Sequence, residues 1–128
     1  MTRNELIEKY NIKLVEHLES FFSGAQVYQD IVQEDEANLS TINHVVFETG
    51  GFERTGTTNY NQEVTVYFFS ENREDLDTLQ LEFMGSLSKT GHTCNKSLKD
   101  KMKKKDTEFF VDVLTFELTR NIKLVCQV

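Results

Sequence analysis

The stretch from Glu63 to Ser70 constrains this chain more than any other. Val64, Val66 and Phe68 alternate with Thr65, Tyr67 and Phe69, so a strand here is apolar on both faces. Such a run belongs centrally in a sheet, because an edge or half-exposed strand would leave one apolar face in water. The flanking sequence must therefore supply further strands and a layer to cover them.

The first candidate for that layer is residues 2–23. Leu6, Ile7, Tyr10, Leu14, Val15, Leu18, Phe21 and Phe22 recur at three- and four-residue steps and form one stripe of a helix. Thr2 followed by Glu5 fits a capping box, and Ser23-Gly24 supplies the stop. A second helical spacing runs through 71–89, with Leu76, Leu79, Phe83 and Leu87 aligned. Asn72 is its candidate N-cap, Glu74, Asp75 and Asp77 suit the helix dipole, and Gly91 sits as a C-terminal cap.

The remaining segments read with a period of two. Strands are expected at about 25–33, where Val27 and Ile31 alternate with Tyr28 and Val32, and at 42–49, followed by a break or bulge at Gly50-Gly51. Glu34-Asp35-Glu36 and Asn38 make a polar turn between them. Residues 52–62 read as a long polar hairpin tip. After the second helix, 92–98 is a short strand, the lysines that follow are a turn, and 107–126 is a long final strand. In that strand Phe110, Leu114, Phe116, Leu118 and Ile122 share a face that Asp112 and Arg120 interrupt, while Phe109, Val111 and Val113 cover the opposite face at its start. The order predicts a single α+β domain over 1–128, an antiparallel or mixed sheet of about four to five strands with two helices packed on one face. Composition agrees: 38% of residues are apolar, ten are Phe and none is Pro, so one ordinary core is expected and no Pro-rich linker.

Charge is unevenly spread. Lys96, Lys99, Lys101, Lys103, Lys104 and Lys105 stand against the single Asp100, a local +5 in a chain of net charge −7, leaving −12 on the remainder. The overall balance argues against general nucleic-acid binding, which draws its affinity from neutralised phosphates. The opening MTRNELIEKY lacks the apolar run of a secretory signal, and no apolar stretch approaches the length of a bilayer span, so a soluble chain without a membrane partner is expected. Cys94 and Cys126 are compatible with free thiols or one disulfide, a reducing cytoplasm favouring the thiols.

Catalytic signals are thin. His17 falls opposite the apolar stripe and is expected in solvent, and His44 on a strand is expected to be partly buried and hydrogen-bonded. His92 and Cys94 form an H-x-C, two ligands of an unclosed metal site. The acidic runs read as surface, and Gly50-Gly51 lacks the Gly-Lys-Ser/Thr of a phosphate loop. No catalytic residue, metal ligand or cofactor is predicted, and the chain is not expected to be an enzyme. Three features instead suit a protein that works by contact. The lysine cluster on an acidic body fits head-to-tail self-association, the hairpin with Phe52, Glu53 and Arg54 can reach a neighbour, and the last strand beyond Arg120 can pair outside its own sheet.

An N-terminal amphipathic helix, an extended hairpin, the aromatic strand VTVYFFS (64–70), the acidic helix ENREDLDTLQLEFMGSL (71–87) and the closing EFFVDVLTFELTR (108–120) follow in that order. The arrangement resembles the small neck and tail-completion proteins of long-tailed bacteriophages, specifically the tail terminator or tail-to-head joining group. The resemblance implies a structural virion protein forming a ring, usually of six copies, on the head-proximal end of the tail tube. It implies tail tube protein and head connector as partners, assembly in the host cytoplasm, and DNA passing through without specific binding. In that picture hairpin 52–62 and the lysine segment 96–105 are inter-subunit or partner-facing, with Lys96, Lys99, Lys101, Lys103, Lys104, Lys105, Phe52, Glu53 and Arg54 as contact residues. The competing reading is a small acidic binding module, of the immunity or antitoxin kind, that covers a basic partner through Glu34, Asp35, Glu36, Asp75 and Asp77. A third is a nucleic-acid binder using the lysine segment with Phe109 and Phe110 beside it.

Overall fold

The computed structural model of the chain describes residues 2–30, 44–71, 73–103 and 110–124. It contains helix α1 (Arg3–Phe21), strands β1 (Gln26–Gln29), β2 (His44–Arg54) and β3 (Asn59–Ser70), helix α2 (Leu76–Ser86) with a 3-10 turn (Leu87–Lys89), and strands β4 (His92–Lys103) and β5 (Phe110–Lys123). The strands form one mixed sheet in the order β1-β2-β3-β5-β4. β1 runs parallel to β2, and the other three pairings are antiparallel. The α+β class and the central place of β3 follow the sequence reading.

The helices share one face of the sheet. Leu14, Leu18 and Phe22 from α1 and Leu79, Phe83 and Leu87 from α2 and its 3-10 turn pack on Val45, Phe47, Val64, Val66, Phe68, Leu114, Phe116 and Leu118. Phenyl rings carry this layer: Phe22 stacks on Phe68 with centroids 4.4 Å apart, and Phe83 meets Phe116 at 4.4 Å and Phe22 at 5.1 Å. A smaller cluster on the other face joins Val46, Phe69 and Val111 with Tyr28, Tyr67 and Val113. This is why Glu63–Ser70 is apolar on both sides: each face has its own cluster.

Several boundaries move. α1 begins as expected, with the Thr2 hydroxyl accepting from the Glu5 N–H at 3.1 Å. β1 covers Gln26–Gln29 and Asp30 follows at φ 49, while residues 31–33 of the expected strand lie outside the described residues. The Asp30 N–H still donates to the Phe47 carbonyl, and its Oδ1 accepts from the Thr49 N–H at 3.1 Å, which closes the parallel edge. Gly50-Gly51 is a bulge and does not break β2: the pairing steps from Thr49↔Val64 to Phe52↔Gln62. A Cβ at Gly50 would come within 3.3 Å of the Glu63 carbonyl oxygen, so a larger residue there would press on the bulge. α2 starts at Leu76, later than residue 71. The Asp75 carboxylate is held by both Nε and Nη2 of Arg73 at 2.8 Å and makes no capping bond to the helix. Asn72, the expected cap, lies outside the described residues, as do the polar turn Glu34–Glu36 and Asn38. Gly91 takes φ +80 directly under Tyr10, whose ring would sit 3.2 Å from an added Cβ.

The polar side chain that interrupts the apolar face of β5 turns inward. Arg120 is fully buried, donating from Nε and Nη2 to Oε1 of Gln62 (2.9 and 2.7 Å) and from Nη1 to Oδ1 of Asn11 (2.8 Å), with its guanidinium 5.9 Å from the Tyr10 ring centroid. A buried cation held by two neutral amides ties α1 to β3 and β5, and breaking such a set leaves desolvated groups without partners. His92, opposite Arg120 in the β4–β5 ladder, is buried beside it, with Nδ1 3.1 Å from the carbonyl and hydroxyl oxygens of Thr90.

Truncating Phe83, which is wholly buried among Phe21, Phe22 and Phe116, is expected to destabilise the fold by about 3–5 kcal/mol in urea unfolding. A loss under 1 kcal/mol would mean that this layer is not the core. Burial, reinforced by the Arg120 cation, lowers the His92 pKa from 6.5 to about 4. Because the folded value lies below the unfolded one, the unfolded chain binds the extra proton. The stability present above pH 6.5 is therefore lost as the pH falls toward 4. Denaturation midpoints measured across that window should drop, by a free energy on the order of 3 kcal/mol, and His92→Gln should flatten the dependence. Parallel curves for the two proteins would exclude His92 as the cause.

Candidate functional site

The lysines lie on a strand where the sequence suggested a turn. β4 runs from His92 to Lys103 and pairs with β5 along its whole length, from His92↔Arg120 to Lys103↔Phe110. It has no apolar alternation to announce it, because it closes the sheet at one edge and most of its side chains stay in water. Lysine on an edge strand is also a device against indiscriminate strand pairing. A bulge between Cys94 and Lys96 shifts the register, after which Lys99, Lys101 and Lys103 pair with Leu114, Asp112 and Phe110, the set of β5 residues that faces the helices. Lys96, Leu98, Asp100 and Met102 alternate onto the other face. Lys104 and Lys105 lie outside the described residues, as do Phe109 and Cys126.

α2 lies against the inner part of this edge. Lys99 Nζ meets Asp77 Oδ1 at 2.7 Å, and Gln80 donates to the Ser97 hydroxyl at 2.7 Å. The ion pair is exposed, so it contributes at most about 1 kcal/mol. Among the described residues Lys96, Lys101 and Lys103 form no ion pair. A shallow cleft of about 440 Å³ opens between the start of α2 and the lysines, lined by Arg73, Glu74, Leu76, Asp77, Lys99, Asp100, Lys101 and Asp112. Cations and carboxylates alternate around it, a pattern that selects a charged surface by orientation.

The expected hairpin tip is mostly ladder. Phe52, Glu53 and Arg54 pair with Gln62, Asn61 and Tyr60, and only Thr55–Thr58 connects the strands. Arg54 braces that turn, donating from Nε to the Gly56 carbonyl and from Nη2 to the Thr57 carbonyl, both at 3.0 Å. Phe52 is 55% exposed. Phe52 pairs with Gln62, which is level with Arg120, whereas Lys96, Lys99, Lys101 and Lys103 are level with Glu117, Leu114, Asp112 and Phe110. The lysines therefore run away from the hairpin along the sheet, from about 10 Å at Lys96 to about 35 Å at Lys103. The end of β5 stays within its own sheet, pairing with β3 as far as Lys123, and the Leu124 N–H donates to the Thr58 carbonyl at 2.7 Å.

The groups considered for chemistry are absorbed by packing. His17 is half-buried between the helices and not in solvent. Its Nε2 is 2.8 Å from the Ser86 hydroxyl and its ring stacks near Phe21, because the buried sector of α1 is wider than its aliphatic stripe. Loss of solvent lowers its pKa. His44 is buried and stacks on Phe69 at 4.4 Å. The Cys94 thiol is free and half-buried, donates to the Lys96 carbonyl at 3.5 Å, and has its pKa raised by burial, so it is a poor nucleophile. Among the described residues no three His, Cys, Asp or Glu side chains converge to hold a metal ion, and no helix is long and apolar enough to cross a membrane. Sequence reasoning missed Arg120 as an internal anchor. Its partner Gln62 is 58 positions away, and only the β3–β5 register brings them side by side.

Arg54→Ala should loosen the hairpin turn, seen as faster amide hydrogen exchange at Thr55 and Gly56, whose N–H groups bond to the Asn59 carbonyl. Unchanged protection at both amides would show that the guanidinium does not hold it. No known protein-family model matches the chain, and no characterised protein matches it in sequence.

Proposed function

We propose that this chain is a structural subunit of the phage neck, a tail terminator or tail-to-head joining protein that assembles as a ring, usually of six copies, on the tail tube. The observation that carries this reading is the segregation of charge onto one sheet edge: Lys96, Lys99, Lys101 and Lys103 on β4, with a body that is otherwise strongly acidic. A contact between such an edge and an acidic face sets orientation and register, as an assembling subunit requires. The braced β2–β3 hairpin, with Phe52 exposed, supports a second, separate contact, to the tail tube or the head connector. Acidic surfaces turned toward the ring opening would repel phosphate and let DNA pass without sticking.

The competing reading, an acidic module covering a basic partner, draws on the exposed carboxylates Glu74, Asp75 and Asp77 at the start of α2. Electron microscopy of the protein added to purified tail tubes separates the two. The neck reading expects a capping ring at one end of each tube, and bare tube ends at saturating protein would reject it. Neutralising Lys101, Lys103, Lys104 and Lys105 together should weaken ring assembly, and raised salt should weaken the parent's assembly, since screening sets in at about 10 Å in 0.1 M salt. Ring formation indifferent to both would remove the lysines from the interface.

A further inference from the structure

The β4 edge and the outer side of α1 carry opposite charge. β4 closes one edge of the sheet with Lys99, Lys101 and Lys103 on the face that the helices share, and with Lys96, Leu98 and Met102 on the other, where Leu98 and Met102 are 44% and 49% exposed. β1 closes the other edge, with α1 packed against it. Along the outer side of α1 runs a groove of about 700 Å³, bordered by Gln29 of β1. Its described walls offer the carboxylates of Glu8, Glu16 and Glu19 and the apolar side chains of Ile7, Ile12 and Val15, and no lysine or arginine. Ile12 is 51% exposed there.

Each surface lacks what the other has. Lys99, Lys101 and Lys103, aligned on one face of the β4 edge, match the carboxylates of Glu8, Glu16 and Glu19 along the groove. Within one molecule the two cannot meet, because β2, β3 and β5 lie between the edges that carry them. A symmetric pairing of two β4 edges would set lysine against lysine, and like charges directly opposite destabilise a strand pair. We infer that the lysine-bearing β4 edge of one copy seats in the acidic α1 groove of the next, a head-to-tail contact between copies of this chain. The inference rests on the self-assembly reading above and identifies its two faces. A heterologous contact through opposite edges leaves one of each free on every pair, so it propagates until the rotation closes a ring.

Charge exchange between the faces tests it. Lys101→Glu with Lys103→Glu makes a protein with a dead edge and an intact groove, and Glu8→Lys with Glu16→Lys makes the converse. Sedimentation velocity and co-pelleting with purified tail tubes should show each variant about tenfold weaker in assembly than the parent. An equimolar mixture should recover, since intact edge meets intact groove and the reversed faces also attract. If the parent assembles and the mixture stays as weak as its components, or if neither variant is impaired, the pairing is overturned while the ring reading stands. A parent that neither self-associates nor caps tubes overturns both. Should a reversed variant lose its far-UV circular dichroism, the neutral pairs Lys101→Gln with Lys103→Gln and Glu8→Gln with Glu16→Gln replace it. Each is expected to weaken assembly, and full assembly by both overturns the inference.

Discussion

Two-sided burial of β3 organises this molecule. Its ladder bonds run to β2 through a short hairpin on one side and to the sequence-distant β5 on the other. Val64, Val66 and Phe68 bind the helices through a phenyl layer, and Phe69 with Tyr67 holds the opposite cluster. Each fully buried Phe or Val contributes roughly 1.5–3 kcal/mol relative to exposure, and β3 buries Val64, Val66, Phe68 and Phe69 beside the Val111, Leu114, Phe116, Leu118 and Ile122 of its neighbour β5. Arg120 adds a polar constraint to the same region: three donors fixed on Gln62 and Asn11 set how α1 lies across β3 and β5, which greasy contact alone would leave free to slide.

That construction leaves the sheet's margins available for recognition. With the helices on one face and most large apolar residues in the core, the β4 edge carries the lysines. Lys96, Lys99, Lys101 and Lys103 of β4 are exposed, with Lys99 paired to Asp77. α1 spends its inner stripe on the core and presents Glu8, Glu16 and Glu19 outward. The neck-subunit proposal and the head-to-tail pairing both draw on a lysine-bearing β4 edge and a groove along α1 lined by carboxylates.

How far such features are legible from residues alone depends on whether they repeat locally. α1 was legible because eight apolar side chains keep helical spacing, and β3 because apolar residues fill both parities. β4 was legible only at its start, 92–98, because the lysine run that follows has the composition of a solvated turn and becomes strand as far as Lys103 only through the partner β5 supplies. The hairpin misled for the same reason: polar residues 52–62 look like a loop until Phe52, Glu53 and Arg54 are seen opposite Gln62, Asn61 and Tyr60. His17 was placed in water by an aliphatic stripe drawn too narrowly, since the ring fits between Phe21 and Phe83 once α2 is in place.

Local patterning thus determined the α+β class, the central strand, the first helix and the concentration of lysines, because each is written in neighbouring residues through periodicity, sterics or charge. Tertiary structure alone decided that the lysines form an edge, that Arg120 is buried on Gln62, and that the lysine-bearing edge and the carboxylate-lined groove lie apart. Those facts depend on strand order and register, which are set by the mutual packing of segments far apart in the chain and by nothing that any one segment contains.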